Sequence, residues 1–280
     1  MKTLTLKLER LNFYKIAVLF LGFYFFSPVS VEAQDSWIDY VRMSDKGVVT
    51  VAVDLRFRSE KPNFKNLLIV GTRFHSCLKN GLPKEDGLEE LFVFSDSTSA
   101  VINKNTKNML VGIITTQCMG FDIYYVKDTV DLRADLNKVI QKNFNLADTY
   151  VEITPEKLWA FYYESLYADF SIESLFNQIY LNDLVLQGDD LKGLRKVNHW
   201  LYFKNLKLRN KAEERMKLLK FSLDSIGYKE ERDRPYELVI SRMDSIDPYS
   251  ITRLTTLLRY ESGRYRGEYD GWSTELKASD

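Results

Sequence analysis

Val197-Asn198-His199-Trp200-Leu201-Tyr202-Phe203-Lys204 is followed, across residues 206–226, by Leu208, Ala212, Met216, Leu219, Leu223 and Ile226 along one helical face. The first eight residues are aromatic and β-branched in the manner of a strand, the next set repeats at helical spacing, and Gly227 suits a C-terminal cap. Working outward, residues 228–231 and 236–242 read as a strand pair around Asp233-Arg234-Pro235. Residues 251–260 read as a second helix, opened by Asp247-Pro248 and ended near Gly263, and residues 269–277 as a last strand. The order is β-α-β-β-α-β.

That order is the split arrangement in which two crossover helices cover one face of a four-stranded sheet, so the second half is expected to be ferredoxin-like. The first half reads differently. Residues 48–53, 66–71, 91–94 and 109–115 are β-branched or aromatic runs, separated by turn signals such as Asp45-Lys46-Gly47, Lys61-Pro62-Asn63 and Asn80-Gly81-Leu82-Pro83. Helical pieces are expected near residues 86–90 and over 132–143, where Leu132, Leu136, Val139 and Ile140 recur at helical spacing. The fold class is therefore α+β: a sheet-rich N-terminal domain over residues 34–178, then a ferredoxin-like domain over 184–280, with Gln187-Gly188-Asp189-Asp190 as a turn-rich, solvated break. Trp159, Phe161, Tyr162, Tyr163, Tyr167, Phe170 and Phe176 cluster just before it and are expected to pack as core or between the domains, with a ligand platform as the alternative.

The chain begins as an export signal does. Lys2, Lys7, Arg10 and Lys15 precede an apolar run over residues 16–26, then Ser27-Pro28 and the small-residue pattern Val31-Glu32-Ala33. A bilayer span takes about 20 apolar residues, so this run is too short for a comfortable membrane anchor. Cleavage is expected after Ala33, removing 33 of 280 residues and leaving 247, with a periplasmic or secreted location and no transmembrane anchor. It would also remove four of 39 basic and two of 39 acidic residues and leave a net charge of −2. A near-neutral protein has no bulk attraction to nucleic acid, which is not expected as a partner.

Candidate chemistry is sparse. His75 and His199 are the only histidines, so a Ser/His/Asp or Cys/His catalytic unit must use one of them. His75 precedes Cys77 by two residues, a spacing at which a thiolate and an imidazole share one face of a strand. His199 lies inside a strand, where it either meets a partner or satisfies a buried hydrogen bond. Cys77 and Cys118 are the only cysteines; an oxidising compartment permits a bridge, and two buried free thiols are the alternative. No spacing for zinc or calcium, no phosphate loop and no nucleophile elbow occurs, so no metal or cofactor is expected.

The hundred residues from about 184 to 276 resemble the family of the regulator of ribonuclease E activity B (RraB). The resemblance is carried by Tyr269-Asp270-Gly271-Trp272-Ser273-Thr274, by Gly188-Asp189 ahead of the strand with His199, Trp200 and Phe203, and by Gly227-Tyr228. The preceding half is similar to a bacterial domain of unknown function, number 695 (DUF695), through Trp37, residues 49–55, Asn80-Gly81-Leu82-Pro83, Gly112 with Thr115, Tyr124-Tyr125, and Trp159 with Tyr162 and Leu166. The first resemblance implies inhibition of a cytoplasmic endoribonuclease by protein contact, which an exported chain never meets. The expectation is thus a non-enzymatic binding or scaffolding protein of the bacterial envelope. Its envelope partner would be met at His199, Trp200, Tyr269, Asp270, Gly271 and Trp272. The rival is an envelope hydrolase using His75 or His199, and a chain kept in the cytoplasm would revert to ribonuclease regulation.

Overall fold

A computed structural model of the chain describes residues 36–58, 61–167 and 171–277. The expected export signal, its cleavage site and Phe170 lie outside them. Among the described residues no helix is long and apolar enough to cross a membrane. The described chain up to Leu191 forms one compact unit and Lys192–Leu276 forms another.

The first unit contains β1 (Trp37–Ser44), β2 (Gly47–Asp54), β3 (Asn66–Arg73), α1 (Glu85–Asn105), β4 (Asn108–Thr116), β5 (Met119–Val126), α2 (Leu132–Asn143), β6 (Thr149–Pro155), a π-helical turn (Phe161–Leu166) and α3 (Ile172–Leu186). Its six strands are antiparallel in the order β1-β2-β4-β5-β3-β6. Period-two alternation gives the sheet two apolar faces. Leu68, Val70, Tyr124 and Val126 pack under Phe94 and Ile102 of α1 and Leu132, Leu136 and Ile140 of α2. On the other face Val49, Val51, Val53, Ile123 and Tyr125 pack under Trp159, Tyr162 and Leu166. Gly112 permits this approach, because a Cβ there would lie 2.8 Å from the Leu166 side chain. Trp159 stacks on Tyr125 with centroids 3.9 Å apart and donates its ring N–H to the Phe64 carbonyl at 2.9 Å, so Trp159 and Tyr162 are core with Phe161, Tyr163 and Tyr167 packed against them, whereas Phe176, also expected in the core, is exposed.

Residues 91–94, expected as a strand, lie inside α1, where Phe94, Thr98 and Ile102 recur every fourth position and are buried. A four-residue apolar run fits either period, and here the longer pattern wins. The expected boundary between residues 178 and 184 falls within α3. That helix packs on β1, and the chain divides after Leu191. Asp189, read as part of a solvated turn, is buried, and its carboxylate accepts the Leu191 N–H at 2.7 Å.

The second unit contains β7 (Arg195–Phe203), α4 (Leu206–Leu218), β8 (Ser222–Tyr228), β9 (Tyr236–Asp244), α5 (Pro248–Arg264) and β10 (Glu268–Thr274). The strand order β10-β7-β9-β8, all antiparallel, is the ferredoxin-like order. Asp247 caps α5 as expected, its carboxylate accepting the N–H groups of Tyr249 and Ser250. The first helix is shorter than the sequence suggests. It ends at Leu218, and Leu223, Ile226 and Gly227 belong to β8, with the two apolar side chains 43% and 53% exposed. Lys220 takes the left-handed residue after the helix at φ 68°, while the Phe221 N–H closes on the Met216 carbonyl at 3.0 Å. Glycine is the usual signal for that position, and its absence lets the helical pattern run on to Gly227.

Candidate functional site

Residues 197, 199, 201 and 203 of β7 are all buried on one face, whereas Lys196, Asn198 and Trp200 occupy the other. β7 pairs with β10 through His199 opposite Trp272, Trp200 opposite Gly271 and Leu201 opposite Tyr269. The six residues expected to form a partner site are therefore neighbours across two strands, with different environments. His199 is 0% exposed and its Nδ1 lies 3.0 Å from the Tyr269 hydroxyl, itself buried. Burial, aided by the positive charge of Arg242, pushes the imidazole down to about 3, so it is neutral near pH 7. His199 and Tyr269 are core residues and cannot serve as contact residues, which corrects that part of the expectation. Their strand positions face inward, so the hydrogen-bonding reading of His199 holds.

Asp270 and Gly271 build a bulge. The register of β10 on β7 skips Asp270, and Gly271 adopts φ 140°, a region that favours glycine. Freed from the ladder, the Asp270 carboxylate accepts two hydrogen bonds from Arg232, at 3.1 and 2.8 Å. That guanidinium lies 3.7 Å from the Tyr202 ring centroid, and the Tyr202 hydroxyl donates to Glu237 at 2.7 Å. The segment between β8 and β9 is thereby tied to the β10 bulge. Burial and the Glu237 carboxylate both raise the Tyr202 hydroxyl, keeping it protonated. Arg232, Tyr202 and Glu237 escaped the sequence reading, since an Arg four residues beyond a strand carries no periodic signal. Trp200 and Trp272 remain half-buried and are the aromatics of the set with surface to offer.

His75 stands apart, in the other unit. Its backbone N–H and ring Nδ1 both meet the Glu90 carboxylate, at 3.1 and 2.9 Å, and its Nε2 lies 3.8 Å from Asp148. The hydrogen bond to Glu90, and then its charge, raise the imidazole above its ordinary value. Arg73, Asp86 and Glu89 also line this open depression of about 370 Å³, with Val93 and Phe144 among its other walls. Cys77 is joined to Cys118 in a disulfide with Cα atoms 5.8 Å apart, so it cannot supply a thiolate to His75, and the two-thiol alternative is set aside. Among the described residues no group of three or more His, Cys, Asp and Glu side chains is placed to hold a metal ion.

Residues 35–167 match the family of unknown function DUF695, and residues 176–274 match the family described as Regulator of ribonuclease activity B. No curated protein matches the chain. Among solved structures it is similar to a candidate glycine cleavage system transcriptional repressor, at 8% identity over 77% of this chain and 100% of that one, with a TM-score of 0.24. An unknown protein from Galdieria sulphuraria is similar at 5% identity over 76% of this chain and 99% of that one, with a TM-score of 0.21. Scores this low assign neither a fold nor a function.

Proposed function

We propose that this chain, a DUF695 domain followed by a regulator-of-ribonuclease-activity-B domain, is an exported, non-enzymatic protein-binding factor. The observation that carries the reading is the fate of the two histidines. His199 is sealed and neutral, and His75 sits on an open surface between carboxylates, its neighbouring cysteine consumed in a disulfide. Neither stands as a base beside a nucleophile with an orienting group, the minimum for the hydrolytic rival. The match to a family described as a regulator favours action through a protein partner. Trp200, on the sheet face away from His199, is the natural anchor, because tryptophans dominate interface energies. The disulfide favours an oxidising compartment, in keeping with the basic-apolar-small opening of the sequence.

A second reading, protein-contact regulation of a ribonuclease inside the cytoplasm, is favoured by the match over residues 176–274. Intact-mass analysis of fractionated cells, with thiol labelling before and after reduction, separates the two. A species beginning near Gln34, outside the cytoplasm and with both cysteines blocked, supports the first. Full-length cytoplasmic protein with two free thiols overturns export and leaves ribonuclease regulation. Turnover on a hydrolase substrate panel that is lost in His75→Ala would overturn the non-enzymatic reading.

A further inference from the structure

Residues 74–83, between β3 and α1, are tied to two other elements. The first is the β4–β5 turn, where Gln117 and Cys118 both adopt left-handed conformations, at φ 51° and 59°. Cys118 is bridged to Cys77, its N–H donates to the Gly81 carbonyl at 2.8 Å, and its carbonyl accepts the Phe74 N–H at 3.0 Å. The second is the C-terminal end of α3. The Asn80 side-chain oxygen accepts the Leu82 N–H at 3.1 Å, which fixes the amide so that its nitrogen donates to the Val185 and Asp189 carbonyls at 2.6 and 3.0 Å. The Val185 carbonyl also accepts the Gly188 N–H at 3.0 Å, so the fixed Asn80 amide adds a second tie at the end of the helix.

On its other side α3 closes the edge of the sheet. The buried Gln178 amide accepts the Val41 N–H at 2.8 Å and donates to the Val41 carbonyl at 3.1 Å, while Asn182 donates to the Asp39 carbonyl at 3.1 Å. Gln178 thus stands where the peptide group of a neighbouring strand would stand. The apolar seating of α3 is partial: Leu181, Leu184 and Val185 are buried, but Phe176, Ile179 and Leu186 are each about half exposed, at 47%, 53% and 40%. Polar ties at both ends therefore matter to where this helix rests.

We propose that the Cys77–Cys118 disulfide is a redox latch on α3, opened by an external dithiol. One thiolate of the dithiol attacks a sulfur of the bridge, which breaks as a mixed disulfide forms. The second thiolate then displaces the mixed disulfide. Cys77 and Cys118 leave as two thiols, having taken up two electrons and two protons, and the dithiol leaves as its own disulfide. Both cysteines are partly exposed, beside the exposed Gln117, so a small dithiol can reach them. Without the bridge, residues 76–83 keep the hydrogen bond from the Cys118 N–H to the Gly81 carbonyl and the packing of Leu82, but lose their covalent tie to the turn. Asn80 loses its fixed position, α3 loosens, and the Val41 peptide becomes available. This holds whichever partner the chain meets.

Peptide-resolved hydrogen exchange on the whole chain tests it, comparing oxidised protein, protein in dithiothreitol, Asn80→Ala and the double variant Cys77→Ser/Cys118→Ser. Exchange in α3 and β1 should rise roughly tenfold on reduction and in Asn80→Ala, with α2 and β7 to β10 unchanged. Reducing Asn80→Ala should add little, since both changes remove the same tie. Unchanged protection in α3 while two thiols become titratable would overturn the latch, as would a bridge that resists the dithiol in the folded state. Uniform loosening that includes α2 would also overturn it, because the bridge would then be a general stabiliser. If the double-cysteine variant does not fold, the dithiothreitol and Asn80→Ala arms decide alone.

Discussion

His199 and Asp122 give the two units opposite responses to acid. The folded imidazole of His199 ionises at about 3 and an unfolded one near 6.5, so below about pH 6.5 the unfolded chain takes up a proton that the folded chain refuses. Stability of the second unit is therefore lost as pH falls, by up to about 1.4 kcal/mol per pH unit across that window. Asp122, buried against α1 with Ser95 donating to it, is raised by burial to about 6 from an ordinary 3.8. Its folded form holds a proton that the unfolded chain has released, so its burial costs stability above about pH 6 and the cost fades as pH falls towards 3.8. Asp122→Asn should thus stabilise the first unit at pH 7 by about 1–2 kcal/mol and remove its acid gain. His199→Ala should cost the second unit about 3 kcal/mol through the cavity and the lost hydrogen bond to Tyr269, and should flatten its acid loss. Urea titrations at pH 7 and pH 5, read by peptide-resolved labelling, check both; equal slopes in the two units would contradict this account. That His199 lies within a strand was legible, but which face of the sheet it takes was not. Its Tyr269 partner was not, because the pairing joins strands 70 positions apart.

Elements were legible where one period dominates and a stop signal is spelled out. Helix α2 spans the expected residues, and α5 begins at the expected Asp247-Pro248. The end of α4 was hidden because Lys220 fills a glycine position. The edge-capping role of α3 was hidden for another reason. Gln178 and Asn182 sit among apolar residues where composition suggests only an imperfect helix, and their meaning depends on which backbone they meet. Gln178→Ala should remove both hydrogen bonds to Val41, leave a buried N–H and C=O unpaired, and cost about 2 kcal/mol. Thermal melts measure the loss, and faster exchange at Val41 locates it. At the β10 bulge, Asp270→Asn should weaken the pair with the partly exposed Arg232 by about 1 kcal/mol and raise exchange between β8 and β9, leaving the first unit unaffected.

At the scale of the whole molecule, the two units separate at an exposed stretch. Lys192, Gly193 and Leu194 are all exposed and Gly193 adopts φ 75°, so brief trypsin digestion should cut first after Lys192 and release a fragment beginning at Gly193. An earlier cut inside α4 would contradict the division. Two domains, their order and the ferredoxin-like half were readable from period and sequence order. The candidate site was only half readable, since the Tyr-Asp-Gly-Trp segment announces a turn residue and aromatics without saying which of them face inward. The amide of Gln178 carries a further consequence, for solubility. The DUF695 match ends at residue 167, before α3, so a fragment trimmed to that limit would keep six strands and lose the plug on β1, one of the two edge strands. An open strand edge recruits strands from other chains. In sedimentation, residues 35–167 alone should run as more dimers and larger species than a fragment carried on to Leu191.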